Sequence, residues 1–102
     1  MSELFIAIYH ESKGTRVEPG RLVVRHGDTI TLCTVDAGPV SVFVPPSLGD
    51  IGVVRLGGEY PRFAPLPLKP GIAPGCHEYG VYVDTDRVFA EGGSQPKIIV
   101  LE

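Results

Sequence analysis

Only two cysteines, three histidines and one methionine occur in 102 residues, and this scarcity of ligand-bearing side chains sets the first limits. Cys33 and Cys76 stand far apart, so no C-x-x-C pair exists to hold zinc or to cycle between dithiol and disulfide. They allow one bridge in an oxidising compartment or two free thiols in a reducing one, and the lack of a secretion signal favours the thiols. Long apolar runs are missing too: none approaches the about 18 to 20 residues of a membrane-crossing helix. The opening "MSELFIAIYHESKG" sets Glu3 ahead of a short apolar run, Leu4 to Tyr9, with neither a basic leader nor a small-residue cleavage site. It reads as a first strand. If Met1 is the native start, the cytoplasm is the expected location; a chain trimmed of a leader would look the same. Basic charge is also short, with a net charge of -3, whereas nucleic acid and anionic membranes reward a concentrated basic surface. Neither is expected as a partner.

Turn formers are plentiful. Thirteen glycines and ten prolines punctuate a chain that is 43% hydrophobic, with Val, Ile, Leu and Thr dominating between the breakers. That pattern predicts short strands, and the length suits one domain, residues 1–102, with a core that needs neither metal nor disulfide. In "VEPGRLVVRHGDTITLCTV" the residues alternate about a Gly27-Asp28 turn, predicting a hairpin-like pair with Ile30 and Leu32 on one face and Thr29, Thr31 and Cys33 on the wetter one. "AGPVSVFVPP" aligns Val40, Val42 and Val44 before Pro45-Pro46 ends the strand. From Ser47 to Pro74 the proline spacing leaves room only for short segments around Val53 to Leu56 and Phe63 to Leu68. The last two strands are read as His77 to Asp84 and Lys97 to Leu101. Alternation places Tyr79 inward, Tyr82 outward, and Leu22, Val24, Ile30, Leu32, Val42, Val81 and Ile99 in the core.

Seven or eight short strands in such a length predict an all-β fold, a Greek-key β-sandwich. The sequence resembles the cupredoxin family. "VEPGRLVVRHGDTITL" looks like that family's Pro-x-x-hydrophobic, Gly-Asp-Thr strand pair, "EYGVYV" like its penultimate strand and "PKIIVLE" like its closing strand. The resemblance spans most of the chain outside the proline-rich middle. It implies that the loop after the third strand, Asp36 to Pro39, and the loop before the last strand, Asp84 to Phe89, meet at one end.

Copper-carrying cupredoxins place a cysteine at the end of the penultimate strand, a histidine and usually a methionine in the loop that follows, and another histidine before the fourth strand. Thiolate and two imidazoles make the trigonal copper set, with a weak axial ligand. The family's cysteine falls on Val83, the loop from Asp84 to Pro96 holds no Cys, His or Met, "DAGPVSV" offers no histidine, and Met1 is the only methionine. All four positions are vacant, so no cofactor is expected. Cys76 and His77 precede Tyr79 at the opposite end of the strand and alternate faces, which suits a turn residue and an ordinary strand position rather than two ligands of one ion.

The remaining candidates are weaker. Asp84-Thr85-Asp86 lacks the glycine and distal glutamate of an EF-hand loop. "LGGEY" and "AEGGSQP" carry glycine pairs outside any phosphate-loop setting, and no G-x-S-x-G surrounds Ser41 or Ser94 to suggest a triad with His26 or His77. Arg87, Val88 and Phe89 put a cation and apolar groups in the loop that the family uses for metal, where they either anchor the loop or meet a partner. The expected function is a non-catalytic binding or accessory module without the type 1 copper site, its partner another protein and its contact residues Arg87 and Phe89. The alternative is copper binding or electron transfer at an unconventional site recruiting the two cysteines and His10, His26 or His77.

Overall fold

The computed structural model describes residues 2–12, 14–90 and 95–102. They form eleven strands and no helix: β1 (Glu3–Glu11), β2 (Gly14–Glu18), β3 (Arg21–Val24), β4 (Thr29–Val35), β5 (Val40–Phe43), β6 (Val53–Leu56), β7 (Phe63–Leu66), β8 (Gly75–Glu78), β9 (Gly80–Val83), β10 (Val88–Phe89) and β11 (Lys97–Val100). The protein is all-β. The first sheet has the order β2-β1-β4-β7, the second β10-β9-β5-β6 and the third β3-β11-β8. The second and third are linked, because β8 runs into β9 through Tyr79. Two of the contacts are parallel, β1 with β4 and β3 with β11, and the other pairings are antiparallel.

Alternation explains the core. Ile6 and Ile8 of β1, Ile30 and Leu32 of β4, Val40 and Val42 of β5, and Val81 and Val83 of β9 all turn inward into one cluster, joined from the third sheet by Val24, Ile98 and Val100. Val44 is buried with Val40 and Val42, Tyr79 lies inward, and Cys33 shares the half-exposed side of β4 with Thr31.

Several readings of the sequence change. The segments on either side of Gly27-Asp28 are not paired: β3 joins β11 in the third sheet, and β4 lies between β1 and β7 in the first. A tight Gly-Asp turn can connect two sheets as readily as two neighbours in one. Ile99 is only half-buried, and Ile98 and Val100 take the inward positions; Leu22 is likewise half-buried, packed against the edge of the core. Cys76 is a strand residue of β8 and not part of a turn. The strand count rises because the penultimate segment changes sheets at Tyr79, Pro19-Gly20 separates β2 from β3, and β10 adds a short pair to β9.

The turn between β3 and β4 is held by Asp28. One carboxylate oxygen accepts from the Ser2 N–H at 2.8 Å and the other from the Arg25 N–H at 2.9 Å. These two bonds, the Arg25 one first, lower the Asp28 pKa below its ordinary value. A depressed folded-state pKa gives stability that is present above the unfolded value, about 3.9, and lost as the pH falls through the folded one. In Asp28→Asn the side-chain amide would turn an NH2 toward one of those N–H groups. Urea unfolding should therefore find the variant less stable than the wild type at neutral pH, with the gap narrowing in strongly acidic buffer. An equal gap at both would detach this carboxylate from acid stability.

Candidate functional site

The loops Asp36 to Pro39 and Asp84 to Arg87 lie side by side at one end of the molecule. The Asp84 N–H donates to the Pro39 carbonyl at 3.1 Å, and a methyl placed on Gly38 would stand 3.5 Å from the Thr85 side chain. Asp84 is further fixed by the Ser41 hydroxyl, which donates to its carboxylate at 3.0 Å. This accounts for one carboxylate of the Asp84-Thr85-Asp86 run as a structural acceptor. Among the described residues, the non-glycine positions with positive φ are Asp36 at 52° and Arg87 at 57°, one in each of these loops. Left-handed backbone at such residues is held by its surroundings and concentrates at functional sites.

Arg87 and Phe89 occupy different parts of this region. The Arg87 N–H donates to the Val83 carbonyl at 2.8 Å, closing the turn that leads into β10, and its side chain is exposed. Phe89 pairs with Tyr82 across β10 and β9, and so shares its outer face. Its ring centroid stands 5.2 Å from that of Tyr82 and 6.1 Å from that of Phe43, with Tyr82 and Phe43 6.5 Å apart. The rings meet edge to face or tilted, the geometry that their quadrupoles favour. Gly80 makes the cluster possible: a Cβ there would lie 3.1 Å from the Phe89 ring. Phe43 and Phe89 nevertheless remain 41% and 45% exposed. Beside them a groove of about 400 Å³ runs along Phe43, Pro45, Glu78, Gly80 and Gln95.

The same outer face becomes polar beyond the rings. Ser41 stands opposite both Tyr82 and Arg55. The Arg55 guanidinium is bonded to the Tyr60 phenol and attracted by Asp84, which raises its pKa above the ordinary value. Rings, a fixed carboxylate and a fixed cation thus share one surface. Phe43 was legible from "VSVFV", whose alternation sends it opposite the three valines; its approach to Phe89 depends on strand order, which local patterning does not encode.

The cysteines and histidines are dispersed. His10 is the penultimate residue of β1, near its turn to β2, and is exposed, and His26 lines a cleft of about 370 Å³ with Asp28 and Lys69 at the β3–β4 turn, the end opposite the two loops. Both cysteines are free, and the Cys33 thiol donates to the Ile6 carbonyl at 3.6 Å. No group of three or more His, Cys, Asp or Glu side chains among the described residues is arranged to hold a metal ion. Met1, the Gly92-Gly93 pair and Ser94 lie outside the described residues. No helix among them is long and apolar enough to cross a membrane.

His77 has a partner that its sequence neighbourhood does not reveal. Its Nδ1 lies 2.9 Å from Ser47 Oγ and its Nε2 2.8 Å from the Ala73 carbonyl. A carbonyl can only accept, so Nε2 carries a proton, and in the neutral ring Nδ1 accepts from the serine hydroxyl. Serine, histidine and an orienting oxygen are the parts of a nucleophilic triad, but acyl transfer also needs N–H donors aimed at the oxyanion. The N–H groups that follow Ser47, on Leu48 and Gly49, both donate to the Pro45 carbonyl, at 2.9 and 3.3 Å. The pair acts as a fastener, tying the Pro45–Gly49 turn and the segment before Gly75 to β8.

No protein-family model and no curated protein matches the chain.

Proposed function

We propose that the chain is a non-catalytic binding or accessory module of cupredoxin-like, Greek-key architecture, lacking the type 1 copper site and working through the Phe43–Tyr82–Phe89 face and the adjoining Arg87 turn. The observation that carries this reading is the half-exposed ring cluster beside two loops that each hold a left-handed non-glycine residue. Aromatic side chains and arginine dominate the energetics of protein interfaces, and three rings braced against one another lose little freedom on binding. A protein partner is therefore favoured. The family resemblance implies that Asp36 to Pro39 meets Asp84 to Phe89, and it is supported by the contacts of Asp84 and Thr85, at the start of that second segment, with Pro39 and Gly38. Vacancy of the copper site is supported by Val83, a buried aliphatic residue at the family's thiolate position.

The test is capture of a protein partner by wild-type chain and by the double variant Arg87→Ala/Phe89→Ala. Neither side chain belongs to the buried core, so the fold should persist, and binding should weaken by about 2 kcal/mol or more if both act as hot-spot residues. Equal capture by a correctly folded double variant would remove this face from the binding surface.

A further inference from the structure

The outer face of the first sheet also carries an exposed apolar patch, Phe5, Val35 and Phe63, and it lies on different strands from the ring cluster. Cross-strand register puts Ala7, Cys33 and Phe63 in one row across β1, β4 and β7, with Phe5 and Pro65 on one side and Val35 on the other. Phe63 is 61% exposed, Phe5 52% and Val35 49%. A sheet face turned to water ordinarily carries polar residues at its outward positions, so apolar exposure on this scale marks a surface that something covers. We propose that a second copy of this chain covers it, forming a two-fold dimer through the outer face of the first sheet.

Two features select a second copy. The first is area: at these exposures Phe5 and Phe63 each leave roughly 100 Å² in water, and the whole face offers about 500 Å² per copy. Two copies then bury about 1,000 Å², the lower bound of a specific interface. The second is charge. On this face β2 carries Arg16, level with Tyr9, and Glu18, level with Ala7. A two-fold axis in the plane of the face, across the strands and midway between those rows, sets Arg16 of each copy over Glu18 of the other. The same axis sets Val35 over Cys33 and lays Phe5 against the side chain of Glu11 of the other copy. Within one chain Arg16 already reaches Glu11 at 3.5 Å, so in the dimer its guanidinium lies between two carboxylates. Facing sheets pack about 10 Å apart, too far for a disulfide between the two Cys33 residues, which are shielded and not bridged.

Cys76 provides an internal reference, because it is exposed on β8 in another sheet. The full chain is examined by sedimentation equilibrium from about 5 to about 500 μM, a range that brackets the dissociation constant on the order of 10 μM suited to so small an interface. Alkylation by iodoacetamide is followed at both cysteines by mass spectrometry. A dimer should form, and alkylation of Cys33 relative to Cys76 should slow about tenfold across the range. Val35→Lys, at an exposed position, should abolish association. Arg16→Glu and Glu18→Arg should each weaken it about tenfold, since the axis repeats every altered contact, and the double swap should restore it. A monomer at every concentration, a constant alkylation ratio, or a swap that fails to rescue would each overturn the proposal. None of these outcomes involves the Phe43–Tyr82–Phe89 face, so the two surfaces stand or fall separately.

Discussion

Ile98→Ala should lower the free energy of unfolding by about 3 kcal/mol, while Ile99→Ala, one residue along the same strand, should lower it by about 1 kcal/mol. Ile98 is fully buried and Ile99 only partly so. Because β11 lies between β3 and β8, its backbone is fixed on both sides and cannot slide to fill the space left by a truncated side chain. The loss at Ile98 combines transfer and cavity costs; at Ile99 solvent already reaches part of the side chain. Urea unfolding of the two variants measures the difference directly. Similar losses, or the reverse order, would mean that β11 is set in the opposite register, with Ile99 and not Ile98 facing the core.

Gly57→Ala should destabilise the protein by about 3 kcal/mol, and it should also disturb partner capture although residue 57 is outside the proposed surface. Gly57 has a φ of 77°, and a Cβ there would stand 2.8 Å from the Gly38 carbonyl oxygen and 3.2 Å from that of Ala37. Both are backbone atoms that cannot rotate away. Relief requires moving the Ala37–Gly38 segment, which packs on Thr85 in the neighbouring loop. Gly71 is the control: its φ is 73° but nothing lies within 4 Å of its hypothetical Cβ, so Gly71→Ala carries only the left-handed penalty of about 1 kcal/mol. Thermal melts of both variants, read together with capture of the partner, separate backbone strain from displacement of the loop. Equal stability losses with unaltered capture would show that the Gly57–Gly38 contact does not position this end.

The sequence discloses those parts of the fold in which a pattern of period two is interrupted by polar residues. In "TITLCTV" and "VSVFV" each apolar residue is flanked by a polar or oppositely directed one, and the inward sets Ile30 with Leu32 and Val40 with Val42 are buried as the alternation predicts. In "KIIVL" apolar residues are consecutive and the phase is ambiguous, so alternation alone does not tell Ile99 from Ile98 as the inward residue. Pairing is harder still, since β3 could have closed on β4 through a short turn but instead meets a strand from the far end of the sequence. Arg87 and Phe89 were visible as an unusual pair in a loop. Their separation into a turn cation and a member of a ring cluster arises only when β10 folds back along β9 and Gly80 leaves room for the ring. Ser47 and His77 are joined by tertiary packing alone, across a proline-rich stretch with no periodicity to read.

The parallel contact between β3 and β11 also has a consequence in time. β3 lies at the edge of the third sheet, with β11 as its only neighbour there among the described residues. Segments so distant in the chain meet late, because closing a long loop loses entropy before any contact compensates. During synthesis Arg21–Val24 would emerge well before the strand that completes it, and would wait with Leu22 and Val24 exposed and one row of amides unsatisfied. A short strand bounded by Arg21 and Arg25 suits that interval, since flanking charge discourages an open edge from joining another nascent chain.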